Sequence, residues 1–285
     1  MLSAASALLA EACAFDRAGV VADEKLFGPG PSGGVQAFGA WEGDQLAGVA
    51  AIATNRIRVL AVSPGRRGAG IGSALLAACE AAARTTGQTT LRTLDQAGNY
   101  LAPGIDERNT ATIAWLEKRG YAKAGEARSN VLIDVRGNPR VTAQRVVALT
   151  AAVGAHGYEV RRGRADETAL LDAVAAEFGG AWPFELARSL AHTPVGVHVA
   201  LKDGSYCAFA AHDGNNRGLG WFGPTGTWPA HRGQGLGEVL LVACLVDVAE
   251  DHAQCEVAWI GPRPFYDKVA GVAADRRFWL LTKTL

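Results

Sequence analysis

The stretch His231-Arg232-Gly233-Gln234-Gly235-Leu236-Gly237 runs directly into Glu238-Val239-Leu240-Leu241. Its residue types are those of an anion site. Glycines let a backbone fold tightly and meet a ligand with no Cβ in the way. The apolar periodic residues that follow predict a helix, whose free first-turn N–H groups and dipole favour a phosphate. Arg232 adds a planar fork of donors. The chemistry is phosphate or pyrophosphate binding. Two other glycine-rich motifs fit poorly: no Lys-Ser/Thr follows Gly237, as a Walker loop requires, and the third glycine of the dinucleotide fingerprint is missing.

The same stretch occurs twice. Pro64-Gly65-Arg66-Arg67-Gly68-Ala69-Gly70-Ile71-Gly72-Ser73-Ala74-Leu75-Leu76 aligns with Pro229 to Leu241 in one register, since 229 − 64 and 241 − 76 both give 165. Chance agreement of a proline, an arginine, three glycines and two leucines is improbable, so the chain contains an internal duplication. At 285 residues it has the length for two ordinary domains.

Composition narrows the partners. An apolar fraction of 49% is enough for two buried cores, and 28 basic residues balance 28 acidic ones. No strong field therefore favours nucleic acid or an anionic membrane. No apolar run reaches the roughly 20 residues a membrane helix needs. The apolar start Met1–Ala10 lacks a basic n-region and is interrupted by Glu11, which favours an amphipathic first helix over a signal peptide. Cys13, Cys79, Cys207, Cys244 and Cys255 are odd in number and lack metal or disulfide spacing. They read as core residues of a reducing cytoplasm.

The elements that must position the two loops follow from periodicity. Residues 3–16 predict a helix, with a loop before Gly34. Val35–Trp41 and Leu46–Thr54 flank a hairpin turn, Arg56–Val62 is a third strand, and 70–86 a helix. Strand Thr89–Leu94, helix 109–119 and strand Val131–Val135 complete the first copy. The second copy has strand Tyr158–Arg164, a helix from an Asp166 cap to Phe178, and the hairpin Val197–Leu201 with Tyr206–His212. Strand Glu256–Ile260, a short helix Phe265–Val269 and strand Arg277–Lys283 close it. The opening strand of the first copy is absent or borrowed. The expected class is α/β with mixed (α+β) sheets: an N-terminal domain over 1–138, a linker over 139–157 and a C-terminal domain over 158–285.

Arg-x-x-Gly-x-Gly after a strand resembles motif A of the GNAT superfamily, amine N-acetyltransferases that use acetyl-CoA. The resemblance covers nearly the whole chain, as two tandem GNAT-like domains, each a mixed twisted sheet flanked by helices. It implies that backbone amides of the loops hold the CoA pyrophosphate. The cofactor residues it implies are Arg232, Gly233, Gln234, Gly235, Leu236, Gly237 and Glu238, and likewise Arg67, Gly68, Ala69, Gly70, Ile71, Gly72 and Ser73. Strand residues Thr225, Gly226 and Thr227, and Leu60, Ala61 and Val62 at the same offset, would run beside the pantetheine arm and supply a backbone donor to the thioester carbonyl.

GNAT enzymes usually protonate the departing thiolate with a tyrosine in a later motif, roughly Tyr-Glu-Lys-x-Gly-Phe. Phe265-Tyr266-Asp267-Lys268-Val269-Ala270-Gly271 resembles it with one extra residue, which gives Tyr266 the general-acid position. Trp115-Leu116-Glu117-Lys118-Arg119-Gly120-Tyr121 matches the spacing better but has Leu116 at that position, and leucine carries no proton to donate. Catalysis by the first domain is thereby in doubt.

Trp182, Phe184 and Glu185 fall where GNAT folds place helices that contact the acceptor. Tyr100 lies in a Tyr-x-x-Pro-Gly segment, which is either part of an acceptor site, part of a domain interface or a structural loop. Glu185, Glu177 and His231 are candidate general bases. No metal is implied. The leading expectation is a cytoplasmic acetyl-CoA-dependent N-acetyltransferase, monomeric or homodimeric, that acts on a small-molecule amine in its C-terminal domain. The alternatives are a non-catalytic acetyl-CoA-binding regulator and catalysis confined to the N-terminal domain. The acceptor itself leaves no mark on the sequence.

Overall fold

The computed structural model describes residues 2–31 and 33–285. The chain forms, in order, α1 (Leu2–Ala12), α2 (Ala22–Leu26), β1 (Val35–Glu42), β2 (Gln45–Ala53), β3 (Arg56–Val62), α3 (Ile71–Thr85), β4 (Thr90–Thr93), β5 (Ile105–Asp106), α4 (Thr110–Glu117), β6 (Ala122–Lys123) and β7 (Arg128–Asp134). Then come α5 (Ala143–Gly154), β8 (Glu159–Arg162), α6 (Thr168–Glu177), α7 (Trp182–Leu190), β9 (Val197–Lys202), β10 (Ser205–His212), β11 (Trp221–Thr227), α8 (Leu236–Asp251), β12 (Gln254–Val257), α9 (Arg263–Ala270), β13 (Ala274–Trp279) and β14 (Leu281–Thr284). Both expected hairpins form. Gly43 and Gly204 sit at positive φ in their tight turns, where a side chain would be strained.

Two compact units result, one of residues 1–129 with 276–285, the other of residues 130–275. These borders differ from a cut at 138 and 158, because each half of the sequence ends in a strand that joins the other unit. In unit 1 the strands run β1-β2-β3-β4-β14-β6. The last strand of the chain, β14, is antiparallel to β4, with Lys283 opposite Leu91. In unit 2 the order is β7-β12-β11-β10-β9-β8, and β7 pairs antiparallel to β12 with Cys255 opposite Ile133.

The missing opening strand is visible as a difference between the sheets. In unit 2, β8 covers β9, whereas among the described residues no strand covers the outer side of β1 in unit 1. The stretch 139–157 contains α5, capped by Thr142, whose hydroxyl accepts from the Arg145 amide. Asp166 does not cap α6. Glu167 takes that place, and its carboxylate accepts instead from the Arg164 amide, Arg161 and the Tyr206 hydroxyl.

Each unit has its own core. In unit 1, Leu75, Leu76, Cys79 and Ala83 of α3 pack on Ala50, Ile52, Ile57 and Leu91. In unit 2, α8 buries Leu236, Val239, Leu240, Cys244 and Val248 against Ala208, Ala210, Phe222, Ile133 and Cys255. Burial of such side chains contributes about 1.5–3 kcal/mol each, which holds both motif helices on their sheets. All five cysteines are free thiols. No helix among the described residues is long and apolar enough to cross a membrane.

Candidate functional site

The duplicated stretch keeps its register in three dimensions. Each motif strand leads into a single 3₁₀ turn, Pro64–Arg66 or Pro229–His231, and then into the glycine loop. Arg67 and Arg232 follow with φ of −68° in both copies. Gly68 and Gly70, and Gly233 and Gly235, all have φ between 76° and 87°. A non-glycine residue there costs of order 1–3 kcal/mol. Gly70 and Gly235 are the N-cap residues of α3 and α8, and no side chain caps either helix. A Cβ built on Gly68, Gly70 or Gly233 meets nothing within 4 Å, so the loops present open backbone to an approaching group.

The arginines do something the sequence did not indicate. Arg232 Nε donates to the Thr227 carbonyl at 3.2 Å, and Arg67 Nε to the Val62 carbonyl at 3.4 Å. Arg67 Nη2 also donates to Ala12 O. Each arginine thus ties its loop back to the end of its own strand.

Beside each loop the sheet splits. β11 and β12 run parallel but pair only at Trp221↔Glu256 and Phe222↔Val257, and β3 and β4 only at Arg56↔Arg92 and Ile57↔Thr93. On the other side, Gly226 opposes Phe209 and the Trp228 amide bonds Cys207 O; Ala61 opposes Val49 and the Ser63 amide bonds Ala47 O. Antiparallel pairs alternate between hydrogen-bonded and open, so the peptide groups of Thr225 and Thr227, and of Leu60 and Val62, turn toward the gap. That geometry suits an extended arm with amide groups, as pantetheine has.

The later helices converge on the same place. A Cβ on Gly237 would lie 3.6 Å from Phe265 and 4.0 Å from Thr227 Oγ1; one on Gly72 would lie 3.4 Å from Trp115 and 3.5 Å from Val62. These are matching residues of the two copies, so Tyr266 and Leu116, each next in sequence, occupy matching positions. Tyr266 is 6% exposed and its ring meets Phe265 edge-on. Its hydroxyl has no hydrogen-bond partner among the described residues, and burial pushes its pKa up to about 12. Leu116 is buried in the unit 1 core.

The helix starts differ in charge. Glu238, in the first turn of α8, pairs with Arg145 of α5 at 2.7 Å. At the matching Ser73, Arg119 donates to the hydroxyl at 2.8 Å while stacking on Trp115.

Trp182 belongs to a four-ring cluster with Phe178, Phe209 and Trp228, at centroid separations of 5.0–6.0 Å. A Cβ on Gly226 would come within 2.9 Å of both Phe178 and Phe209, so this glycine lets the rings lie against the split strand. Sequence reasoning singled out Trp182 alone; the other rings come from three separate elements, and only Trp228, immediately before the loop, was locally conspicuous. Glu185 is buried at 5% exposure, and Glu177 is exposed. His231 Nδ1 lies 3.1 Å from the Tyr158 hydroxyl. Tyr100 is buried in unit 1.

Sequence reasoning missed a second feature of unit 2. Asp247 of α8 accepts from His198 Nε2 at 2.7 Å and Arg162 Nη2 at 2.7 Å, and faces His212 Nε2 at 3.4 Å. His212 Nδ1 lies 2.9 Å from Asp213. Burial works against the imidazolium, but the two carboxylates outweigh it and push His212 up to about 9. Burial alone would raise Asp247; hydrogen bonds from His198, His212 and Arg162 instead hold it well below the usual carboxylate range.

Comparison with known proteins agrees with this geometry. Residues 33–123 match the domain family described as Acetyltransferase (GNAT) domain. Among solved structures, the chain is similar to the GCN5-related glucosamine N-acetyltransferase region of a fungal multi-domain GH3 β-N-acetylglucosaminidase. The TM-score is 0.75 at 16% identity, covering 99% of this chain and 36% of that one. It is also similar to a tandem GNAT protein from the clavulanic acid biosynthesis pathway, with a TM-score of 0.66 at 20% identity, covering 99% and 94%. A GCN5-related N-acetyltransferase from Sphaerobacter thermophilus aligns with a TM-score of 0.58 at 17% identity, covering 84% and 77%. The chain therefore spans little more than a third of the fungal protein. No curated protein matches the sequence. Residues 33–123 thus match a GNAT domain, and the two units are similar in fold to a tandem GNAT protein.

Proposed function

We propose that this protein is a cytoplasmic N-acetyltransferase that moves an acetyl group from acetyl-CoA to a small-molecule amine, with the chemistry in unit 2. The observation that carries the reading is the pair of matched positions Tyr266 and Leu116. Both units have the open glycine loop and the split sheet, but at the matched late-helix position unit 2 has a phenol and unit 1 a leucine.

Acetyl-CoA would supply the activated thioester. Gly233–Gly237 and the start of α8 would hold its pyrophosphate through backbone N–H groups. The Thr225 and Thr227 peptide groups, turned toward the gap, would hold the pantetheine arm and polarise the thioester carbonyl. As the amine nitrogen bonds to the acetyl carbon and the C–S bond breaks, the Tyr266 hydroxyl would give its proton to the leaving thiolate, and the proton lost by the amine nitrogen would pass to solvent, from which the phenol is restored. A phenol that stays protonated up to about pH 12 is loaded for that step at neutral pH. The ring cluster around Trp182 supports an acceptor with an apolar or flat portion, since aromatic faces bind such groups or a cation. Unit 1 would be a cofactor-binding copy without a proton donor.

The test is turnover of acetyl-CoA with a pooled amine library, read as free thiol, for wild type and Tyr266→Phe. Thiol release in wild type that falls in the variant is expected. Full turnover in Tyr266→Phe, with loss on substitution of Gly70, would place the chemistry in unit 1. Saturable CoA binding with no turnover on any amine would favour the regulatory reading.

A further inference from the structure

The two sheets end differently at corresponding strands. In unit 2 the hairpin strand β9 is covered on its outer side by β8, which pairs antiparallel from Glu159↔Leu201 to Arg162↔His198. The counterpart of β9 in unit 1 is β1, and among the described residues no strand pairs with its outer side. Gln36, Ala37, Gly39, Trp41 and Glu42 are exposed. The other half of the molecule thus shows the completed form of this edge, and it has one more antiparallel strand.

The register shows which peptide groups of β1 face outward. Ser63 N–H donates to Ala47 O, so in β2 the odd-numbered peptide groups face β3 and the even-numbered ones face β1. Gly48, Ala50 and Ile52 pair with Ala40, Phe38 and Gln36, whose peptide groups are therefore used on β2. The N–H and C=O groups of Ala37 and Gly39 point away from the sheet. Sheet edges are normally blunted by lysine, proline or an inward charge, because such a row of groups templates a further strand. From Val35 to Trp41 this edge carries no charge and no proline. Its single bulge, at Ala40/Trp41, leaves Val35–Ala40 regular. Glu42 is engaged by Arg66 at 3.1 Å. Apolar side chains flank the edge: Trp41 is 45% exposed, and Phe27, at the C-cap of the α2 helix that packs against β1, is 44% exposed.

We propose that the occupant of this edge is β1 of a second copy of the chain, antiparallel about a two-fold axis at Phe38. Unit 2 has an antiparallel strand at this place, and a two-fold axis supplies one from residues already present. Outward peptide groups must meet outward peptide groups, so Ala37 exchanges hydrogen bonds with Gly39 of the second copy, and Gly39 with Ala37. The register centred on Phe38 also sets Phe38 opposite Phe38 and Val35 opposite Trp41, aromatic and β-branched pairs of the kind that stabilise sheets. Charge permits the contact. Glu42 falls opposite Gly34, and 28 basic against 28 acidic residues leave two copies without net repulsion. The inference does not rest on the proposed acetyl transfer.

Sedimentation of the full chain over a dilution series, with amide exchange on the same samples, tests it. Wild type should reach twice the monomer mass as its concentration rises toward the solubility limit. The Ala37 and Gly39 amides should gain protection in step, while those of Phe38 and Ala40 are protected at every dilution. Ala37→Pro removes an outward N–H and leaves the pairing with β2 intact, so the fold should survive and association should weaken by about tenfold or more, the size of the lost hydrogen bonds. Ala37→Lys puts a charge on the exposed edge, should weaken association likewise, and carries the test if the proline variant folds poorly. A wild type that stays monomeric throughout overturns the proposal. A dimer unmoved by both substitutions overturns it in favour of another surface. Protection of the Ala37 and Gly39 amides at every dilution overturns it in favour of a segment of the same chain.

Discussion

Gly70 and Gly235 share a left-handed conformation and start helices of 15 and 16 residues, yet the two helices are anchored to their sheets by different chemistry. In unit 2 the layer between α8 and the sheet contains Asp247, His198, His212 and Arg162. In unit 1 the helix offset of 165 puts Ala82 at the place of Asp247. The strand registers put Ile52 at the place of His212 (opposite Ile57 as His212 is opposite Phe222) and Phe38 at that of His198. The same contact is apolar in one copy and ionic in the other. A buried ionic layer is weak evidence for stability, since burying charges offsets much of their attraction. The duplication gives the apolar solution alongside it, so one chain contains both arms of the comparison.

Breaking the ionic layer should have the largest effect. Asp247→Ala leaves Arg162 without its counter-charge and His212 with Asp213 alone, and should destabilise unit 2 by about 3–5 kcal/mol, measured by denaturant unfolding. His198→Phe, His212→Ile and Asp247→Ala together install the unit 1 residues and should recover most of that loss. The pH profile sharpens the comparison. His212 at about 9 lies above its ordinary 6.5, so its stabilisation is complete below 6.5 and is lost as pH rises through 9. Asp247 lies below its ordinary 3.8, so its contribution is complete above that value and is lost as pH falls further. Wild type should be most stable between those limits and the triple variant flatter at the alkaline end. Equal slopes in the two proteins would show that the layer does not govern the pH dependence.

The next effect concerns the matched late helices. Tyr266→Phe removes a hydroxyl and almost no volume, so folding and CoA affinity should survive. General acids contribute about 10²–10⁴-fold in rate, and thiolates leave readily, so a fall in kcat near the lower end is expected with little change in KM for acetyl-CoA. Steady-state kinetics beside a CoA titration reads both quantities.

The loops themselves should be separable. Gly70→Val and Gly235→Val each force a β-branched residue to positive φ, at of order 1–3 kcal/mol. Each should weaken one CoA site by about tenfold while sparing the other, as calorimetry on the full chain would register. No CoA uptake by wild type would undo the reading of both loops. The smallest effect belongs to Leu116→Met. A volume-conserving core exchange costs less than about 1.5 kcal/mol and should leave turnover where it was. A large loss of kcat there would return catalysis to unit 1.

What the sequence determines by itself is local. The anion loops are legible because their geometry depends on a few consecutive residues: glycines that tolerate positive φ at 68, 70, 233 and 235, and an apolar periodicity that starts the helix straight after. The contrast of Leu116 with Tyr266 is legible only through the resemblance to the GNAT late motif, since these two positions are offset by 266 − 116 = 150 and not by the 165 of the loops. The short α2 was missed because five residues carry too little periodicity. Only the tertiary structure decided what closes each sheet. β7 and β14 are short strands with no local mark of their neighbours, and pairing energy depends on which edge is free when they arrive. Each entered the sheet made by the other half of the chain. The four-ring cluster and the Asp247 layer are non-local in the same way. Their members lie up to 85 residues apart, as Arg162 does from Asp247, and only the strand registers and helix packing bring such side chains within reach of one another.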